Sequence, residues 1–207
     1  NDGNKFISEA FKKKASIAIV NTVNKNNNKK YQLKVNDTLK FLTKSSKIYR
    51  QNLNTNIIAI TGSCGKTTLK ELLGNSLKQV SKVGISPKSY NNKYGVPLSL
   101  FNLNQKDDYG VLEIGMDKKG EIDYLSKIVQ PDVSIITNIS YAHAKNFRNL
   151  KQIALAKSEI INNTKDNGFI ILNADDNFFW LHKKLAIKKN LKILSFGIRN
   201  KNSNIKL

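Results

Sequence analysis

The sequence has little cysteine and no long apolar run. Its single cysteine, Cys64, has no partner for an internal disulfide, which fits a reducing compartment. No apolar segment approaches the ~18 residues that a membrane-spanning helix needs. No signal-peptide pattern opens the chain. We therefore expect a cytoplasmic protein that is not inserted in a membrane.

Acidic residues are also scarce. There are 15 Asp and Glu against 35 Lys and Arg, so the formal net charge is +20. Such a charge is typical of proteins that bind nucleic acid or another polyanion. Here the lysines are scattered and accompany abundant Asn and Ile, a composition that AT-rich codons produce. We interpret the charge as compositional drift and expect no specific binding of nucleic acid, because that function needs a basic patch or a recognised module.

The chain is long enough for more than one folding unit. Its 207 residues suit one large domain or about one and a half ordinary ones. It begins without Met inside a helical pattern and stops just after a strand pattern, so we expect a fragment of a longer protein. The polar stretch 51–56 predicts a linker, and we place a domain boundary near residue 52. Residues 1–51 then form part of a smaller α/β domain, and residues 52–207 form the second domain.

Strand and helix patterns alternate along the second domain. The predicted strands are 57–60, 110–114, 133–137, 169–172 and 192–196, and the predicted helices are 69–77, 121–129, 150–161 and 177–186. Before the boundary, the patterns predict a helix over 4–15, a strand over 16–20 and a helix over 39–50. The alternation predicts an α/β fold, with a mostly parallel sheet, helices on both of its faces and ligands at the carboxyl ends of the strands.

The strand at 57–60 leads into a glycine-rich turn and then directly into a helix. Gly62 and Gly65 allow a tight turn whose N–H groups point inward, so that an anion can bind at the helix N-terminus. In such a phosphate-binding loop, Lys66 reaches the β- and γ-phosphates and the Thr67 hydroxyl holds Mg²⁺. The nucleotide-binding residues predicted here are Gly62, Ser63, Cys64, Gly65, Lys66, Thr67 and Thr68. The usual motif has a further glycine where Ile60 stands, so the alternative is a glycine turn with a chance lysine.

Two further residues follow predicted strands. Glu113 lies near the carboxyl end of a strand that should be buried on both faces, where a carboxylate is costly unless it is paired or binds a metal. An Mg²⁺ ligand fits this position beside a phosphate loop. The alternative is a salt bridge to a neighbouring lysine. His143 follows the strand at 133–137 by a short loop, and its position fits a ligand as well as it fits a capping or packing residue.

Lys157 occupies an unusual position on the predicted helix 150–161. It follows Ile153 by four residues and precedes Ile161 by four, which places it inside the apolar stripe. Burial lowers the pKa of an amine, and a neutral amine can react with carbon dioxide to give a carbamate, an anion that binds metal. The alternative is snorkelling, in which the stem packs and the ammonium group reaches water. The spacing does not separate the two.

Polar clusters occupy two junctions between strands and helices, and the cysteine lies in the turn. Asn91 and Asn92 precede a Gly-Val-Pro segment and are candidates for contact with a ligand. The segment 173–176 could also contact a ligand, but we favour an N-cap for the following helix. Cys64 has no adjacent histidine to stabilise a thiolate, so we interpret it as a small loop residue rather than a nucleophile.

Taken together, these motifs resemble those of the Mur ligase family. The matching segments follow the family's order, and they are 61–68 with 70–71, 91–92 with 95–98, 113–116 with 120–122, 136–138 with 142–143, and 156–160. Five motifs in one order are far more specific than any one of them. The resemblance covers nearly the whole chain but only part of the family's architecture, because the start of the first domain, the end of the central domain and the C-terminal domain are missing.

The resemblance also implies roles for individual residues. The shortened loop becomes the family's own variant, Glu113 and His143 become Mg²⁺ ligands with Thr67, and Lys157 becomes a carbamoylated lysine that helps to bind a second Mg²⁺. The implied catalytic residues are Lys66, His143 and Lys157, and Asn91 and Asn92 are implied to contact the nucleotide. Near the N-terminus, residues 2–6 resemble the end of the family's UDP-sugar-binding domain, although the residues at 4 and 5 depart from the usual His-Asp.

The implied activity is ATP-dependent amide formation through an acyl phosphate. Asn91-Asn92 and the Gly-Glu-Ile segment 120–122 favour the family member that adds D-alanyl-D-alanine to UDP-N-acetylmuramoyl-tripeptide in peptidoglycan synthesis. ATP, two Mg²⁺ ions and these two substrates are then the expected ligands, and the protein is expected to be a monomer. The alternatives are another amide ligase of the Mur or folylpolyglutamate type, or a non-catalytic module that binds a nucleotide or a nucleic acid.

Overall fold

The structure is a computed structural model that describes residues 3–141 and 146–206. It divides into two units between Ser45 and Ser46, which lie inside helix α2 (Thr38–Gln51). This division comes several residues before the boundary that the linker composition indicates. The last residues of α2 therefore belong with the second unit, and the contacts of Arg50 described below explain why.

The first unit is small and combines helices with a pair of strands. It contains a 3₁₀ turn (Gly3–Phe6), α1 (Ile7–Lys12), β1 (Ala18–Val20), a second 3₁₀ turn (Lys29–Tyr31) and β2 (Gln32–Lys34). Strands β1 and β2 run parallel. Helix α2 follows Asp37, whose Oδ1 accepts hydrogen bonds from the backbone N–H groups of Leu39 and Lys40. These two hydrogen bonds cap the N-terminus of α2.

The second unit contains a seven-stranded parallel sheet. Its elements are β3 (Asn56–Thr61), α3 (Lys66–Leu77), β4 (Val83–Ile85), α4 (Gly95–Phe101), β5 (Tyr109–Glu113), α5 (Glu121–Val129), β6 (Val133–Ile136), α6 (Leu150–Asn163), β7 (Phe169–Asn173), α7 (Phe179–Lys188), β8 (Lys192–Gly197) and β9 (Ile205–Lys206). The strand order is β4-β5-β3-β6-β7-β8-β9, and each neighbouring pair is parallel. The predicted fold class is confirmed, and β4, α4 and β9 are additions to it.

Strand β3 lies inside the sheet, at the point where the direction of winding reverses. The chain passes from β3 to β4 and β5 on one side, and then to β6 and the later strands on the other. In the register of the sheet, Ile60 is opposite Glu113 on β5 and Ile135 on β6. The carboxyl ends of these three strands therefore meet at one edge, which is where parallel sheets of this kind bind ligands.

Side chains of β3 alternate between two apolar layers, as the pleat of a strand requires. Ile57 and Ala59 are buried among residues of α4, α5, α6 and α7. Ile58 and Ile60 face the other way and pack with Leu69 and Leu73 of α3. Helices thus cover both faces of the sheet, as predicted. Within the residues described, no helix combines the length and the apolar content needed to cross a membrane.

Arg50 fastens the end of α2 to the second unit. Its side chain is only 3% exposed. The guanidinium donates to the carbonyl oxygen of Val129 at 2.7 Å and to Asp132 Oδ2 at 3.0 Å, and further donates to the carbonyl oxygens of Leu53, Thr55 and Gln130. A buried cation needs such partners, since an unpaired one would be strongly destabilising. The contacts hold the loop before β3 and the loop before β6 at the same place.

Replacing Ile160 by alanine should destabilise the second unit by about 2–5 kcal/mol, because the side chain is completely buried between α6 and the sheet and its loss leaves a cavity. Urea unfolding of the wild type and the variant measures this difference. Leu155→Ala on the same helix is the matched control, since Leu155 is 41% exposed. Equal losses of stability in the two variants would contradict the packing described here.

Candidate functional site

The turn after β3 has a backbone that depends on glycine. Gly62 has φ +149° and Gly65 has φ +79°, and α3 begins immediately afterwards at Lys66. A Cβ atom on Gly62 would lie 1.8 Å from the Thr137 hydroxyl oxygen, which no real contact permits. Any side chain at position 62 would therefore push the turn away from β6. The strand, turn and helix predicted here are all present.

The first turn of α3 presents unpaired N–H groups. Among the described residues, the backbone N–H groups of Gly65, Lys66, Thr67 and Thr68 donate to no acceptor, and Leu69 is the first residue to donate back, to the Gly65 carbonyl. These donors lie at the positive end of the helix dipole. An anion bound at this end of α3 would satisfy them.

The loop after β6 supports this turn from one side. The N–H groups of Ser63 and Cys64 donate to the carbonyl and the side-chain oxygen of Asn138, at 2.9 and 3.0 Å. The Thr137 hydroxyl donates to the Cys64 carbonyl at 2.7 Å, and the Ser63 hydroxyl bonds with the backbone of Ser140. The sequence singles out the segment 136–138 as a motif but assigns it no role. Its role in the structure is to fix the conformation of the turn.

Two lysine side chains converge on the carbonyl oxygen of Gly62. Lys66 Nζ donates to it at 3.0 Å and Lys157 Nζ at 2.8 Å. Lys66 also donates to the Ser63 carbonyl at 3.3 Å. Lys157 comes from α6 and is only 3% exposed, so its ammonium group does not reach water and the snorkelling alternative is wrong. Burial of Lys157 is the arrangement that its helical spacing predicts.

The surroundings of Lys157 favour the uncharged amine. Burial lowers the pKa of Lys157 to about 7, and repulsion from the nearby Lys66 ammonium acts in the same direction. A substantial fraction of the amine is therefore neutral near pH 7. Only the neutral form has the free electron pair needed for reaction with carbon dioxide or another electrophile.

Glu113 has polar partners but no lysine beside it. Its side chain is 2% exposed, and its two carboxylate oxygens accept hydrogen bonds from the Thr67 hydroxyl and from Asn91 Nδ2, each at 2.6 Å. No lysine among the described residues pairs with it, so the salt-bridge alternative is wrong. A carboxylate and a hydroxyl oxygen in contact are two of the hard oxygen donors that Mg²⁺ prefers.

Asn91 and Asn92 have different surroundings. Asn91 contacts Glu113, as just described, and its carbonyl accepts a hydrogen bond from the Gly115 N–H. Asn92 Oδ1 accepts from the N–H groups of Tyr94 and Gly95, each at 3.0 Å, at the start of α4. The oxygen of Asn92 is thus engaged with its own backbone. For the predicted nucleotide contact, only the Nδ2 group of Asn92 is available.

The remaining candidates lie around this edge. Cys64 and Thr68 belong to the turn and the start of α3. His143 lies outside the described residues. Within the described part of the chain, no group of three or more His, Cys, Asp and Glu side chains is arranged to hold a metal. Any metal at Glu113 and Thr67 would therefore complete its coordination with other kinds of oxygen or with His143.

The polar cluster at 173–176 is hydrogen-bonded to the loop after β6 and to the loop after β8. Asp175 accepts hydrogen bonds from the N–H groups of Ile198, Arg199 and Asn200. The N–H groups of Arg199 and Ile198 lower the pKa of the Asp175 carboxyl. Asp176 accepts from the N–H groups of Ile139 and Phe178, close to the start of α7. Only Asp176 thus comes close to the capping role favoured from the sequence.

Lys157 should make stability depend on pH. Its pKa in the folded chain is about 7 and lies below the ordinary value of 10.5, so between these values the unfolded chain binds more protons and stability rises with pH. Lys157→Met removes this contribution. The urea midpoint of the wild type should therefore rise steadily relative to that of Lys157→Met from pH 7 to pH 10. Lys151→Met, exposed on the same helix, is the control and should show no such trend.

Comparison with known proteins finds the same family along most of the chain. Residues 60–207 match the Mur ligase middle domain. A UDP-N-acetylmuramoyl-tripeptide--D-alanyl-D-alanine ligase of Buchnera aphidicola from Acyrthosiphon pisum is 39% identical over 100% of this chain and 46% of its own length. The corresponding ligase of Rickettsia prowazekii is 38% identical over 98% of this chain and 45% of its own.

Solved structures agree with this similarity. MurF from Acinetobacter baumannii superposes with a TM-score of 0.83 at 37% identity, covering 93% of this chain and 42% of that one. MurF ligase from Thermotoga maritima, solved in complex with ADP, gives a TM-score of 0.81 at 32% identity, covering 96% of this chain and 45% of that one. The chain thus spans less than half the length of each of these relatives. From the match of residues 60–207 to the middle domain and the shared fold, the chain belongs to the Mur ligase family.

Proposed function

We propose that this chain is the nucleotide-binding part of an ATP-dependent ligase that joins D-alanyl-D-alanine to UDP-N-acetylmuramoyl-tripeptide. The observation that carries the proposal is the meeting of Lys66 and Lys157 at the Gly62 carbonyl, beside the contact between Thr67 and Glu113. The arrangement combines the Lys66 cation, free N–H donors, a buried amine with a lowered pKa and a pair of oxygens suited to a metal, which are parts that transfer of a phosphoryl group uses. The substrates are those named for the relatives of this chain.

The proposed reaction has two chemical steps. A carboxylate oxygen of the peptide attacks the γ-phosphorus of ATP, and the bond to the β,γ-bridging oxygen breaks. The products of this step are ADP and an acyl phosphate. The amine of D-alanyl-D-alanine then attacks the acyl carbon, the bond from that carbon to the phosphate oxygen breaks, and inorganic phosphate leaves with the bonding electrons. The proton that the amine nitrogen loses goes to the phosphate as the amide forms. Negative charge shifts between oxygens in both steps, so positioned cations and N–H donors supply most of the catalysis.

The turn after β3 suits the phosphates of ATP. The N–H groups of residues 65–68 have no acceptor among the described residues and lie at the start of α3. Lys66 now donates to carbonyl oxygens of its own turn. These are neutral partners, so a phosphate that carries full negative charge would compete successfully for the ammonium group. Lys66 then contacts the transferred phosphoryl group, and Gly62–Thr68 surround the phosphates.

The site also suits Mg²⁺, whose positive charge would offset charge on the phosphates. Glu113 is a buried carboxylate with no ion-pair partner among the described residues, and Thr67 adds a hydroxyl oxygen in contact with it. We infer that these two residues hold one ion, with His143 a further ligand. A carbamate on Lys157 would help to hold a second ion, and the lowered pKa of Lys157 supports this modification.

The wider assignments follow from the same proposal. We assign residues 1–51 to the end of a UDP-sugar-binding domain and residues 52–207 to part of a central ATP-binding domain. We further propose that the full-length ligase is a monomer with a C-terminal ligase domain. ATP and a nucleotide-linked peptide are cytoplasmic substrates, so we place the reaction in the cytoplasm. We assign no nucleic-acid partner, because the positive charge is spread over the sequence rather than concentrated.

Lys66→Ala in the full-length ligase should remove nearly all activity. The phosphates would lose their cationic side-chain partner in the turn, which should lower turnover about a thousandfold while the fold persists. The measurement is phosphate release with ATP and both substrates. Lys78→Ala is the control, because Lys78 is exposed at the other end of the same helix. More than about a tenth of wild-type turnover would contradict the assignment of Lys66.

Lys157→Ala should be inactive and should regain part of its activity when a small carboxylate is added to the buffer, because the site needs an anion at that position. Depleting bicarbonate should slow the wild type for the same reason. Lys157→Arg keeps the positive charge but cannot form the carbamate. Full activity of Lys157→Arg would exclude carbamoylation, and it would leave the role of Lys66 unaffected.

A further inference from the structure

Lys70, one turn after Lys66 on α3, is a second completely buried lysine. Its side chain is 0% exposed, and it is the largest side chain that the structure buries completely among the residues described. Nζ donates to the Ser86 carbonyl at 2.7 Å and to the Lys88 carbonyl, and it lies 3.0 Å from Glu71 Oε1. An ammonium group has three donors, so these three acceptors satisfy it completely.

The carbonyls that Lys70 contacts belong to the loop between β4 and α4. The backbone at Lys88 has φ +46°, a left-handed conformation that a lysine rarely adopts. Such a conformation persists only where surrounding contacts enforce it. The hydrogen bond from Lys70 to the Lys88 carbonyl is a contact of this kind. Because α3 is fixed by its packing on the sheet, Lys70 ties the loop to a rigid element.

The same loop carries groups that face the proposed metal site. The Ser86 hydroxyl accepts a hydrogen bond from the Glu113 N–H at 3.3 Å. Ser89 Oγ lies 3.5 Å from the Thr67 hydroxyl, and the Ser89 carbonyl accepts from the N–H of Asn91. Asn91 Nδ2 in turn donates to Glu113 at 2.6 Å. The loop thus contacts both proposed metal-binding residues, Thr67 and Glu113. The Lys70 ammonium group donates hydrogen bonds to the backbone of the loop.

We propose that Lys70 is a positioning residue for Mg²⁺, which acts by holding the loop 86–91 so that Asn91 orients the Glu113 carboxylate and Ser89 lies beside Thr67. The inference rests on the proposed function, since it requires that Glu113 and Thr67 bind the metal. Residues that orient metal ligands commonly change metal affinity about 10–100-fold when they are replaced. Among the described residues, the N–H groups proposed to bind the phosphates make no hydrogen bond to this loop, so the two effects can be separated.

The first measurement tests the anchoring alone, and it uses the full-length ligase. Lys70→Met keeps the length and the apolar stem of the side chain but removes all of its donors. Hydrogen exchange of peptides covering residues 86–91 should become at least about tenfold faster in this variant, while exchange in β3 and β5 stays unchanged. Lys78→Met, with an exposed side chain immediately after the end of this helix, should exchange like the wild type. Unchanged exchange at 86–91 in Lys70→Met would overturn the inference.

The second measurement tests the connection to the metal. The Kd of ADP is determined by calorimetry in excess Mg²⁺ and again in EDTA. In Lys70→Met, the ratio of the ADP Kd in EDTA to the ADP Kd in Mg²⁺ should fall about tenfold or more, and the Kd in EDTA itself should be unchanged. Asn91→Ala should lose a similar part of the tightening that Mg²⁺ gives to ADP binding. The double variant should lose no more of it than the more affected single variant, because both changes act through one contact.

The outcomes distinguish this inference from the proposed function. Equal weakening of ADP binding in Mg²⁺ and in EDTA would mean that Lys70 has only a structural role, and it would overturn the inference. A wild-type protein that binds ADP equally under both conditions would overturn the proposed metal site, and the inference would fall with it. If Lys70→Met does not fold, Lys70→Gln takes its place. Its shorter neutral amide should cause a smaller loss of the tightening that Mg²⁺ gives to ADP binding, and an unchanged tightening would overturn the inference.

Discussion

The contact on which the rest of the site depends is the one that two lysine ammonium groups make with the carbonyl oxygen of Gly62. Lys66 comes from α3 and Lys157 from α6, on opposite faces of the sheet, and they meet where β3 ends. Burial lowers the pKa of Lys157, and repulsion between the two like charges at this neutral acceptor acts in the same direction. An anion between the lysines would relieve this repulsion. Positive charge is therefore concentrated where β3 ends.

This convergence is possible only because the turn is held rigidly from the side of β6. Asn138 accepts hydrogen bonds from two consecutive N–H groups of the turn, and Thr137 packs where a side chain on Gly62 would otherwise stand. The contacts that hold the turn in this conformation thus come from the chain itself. N–H donors that are fixed in advance need no reorganisation during reaction, which is the condition under which such groups stabilise a developing charge most strongly.

The sequence predicts the parts of this site that local patterns determine. Apolar runs locate β3, β5 and β6, parallel pairing then brings their carboxyl ends together, and helical spacing places Lys157 in the core. Strand β4 escapes prediction because it has only three residues, and α4 because it begins at Gly95 and contains Pro97, which are turn signals in a sequence. The hydrogen bond from Asn91 to Glu113 could not be predicted either, since Asn91 lies on a loop whose path is set by tertiary contacts.

Lys70 and Lys157 show why burial alone does not identify a reactive lysine. On the sequence, Lys70 lies beside Glu71 in a polar pair, a pattern typical of an exposed helix face, yet its side chain is completely buried. Its three donors are satisfied by two carbonyls and a carboxylate, which fixes the ammonium group in place. Lys157 has a carbonyl acceptor and a neighbouring positive charge. The two buried lysines therefore differ in the number of acceptors around the ammonium group and in the sign of the nearest charge.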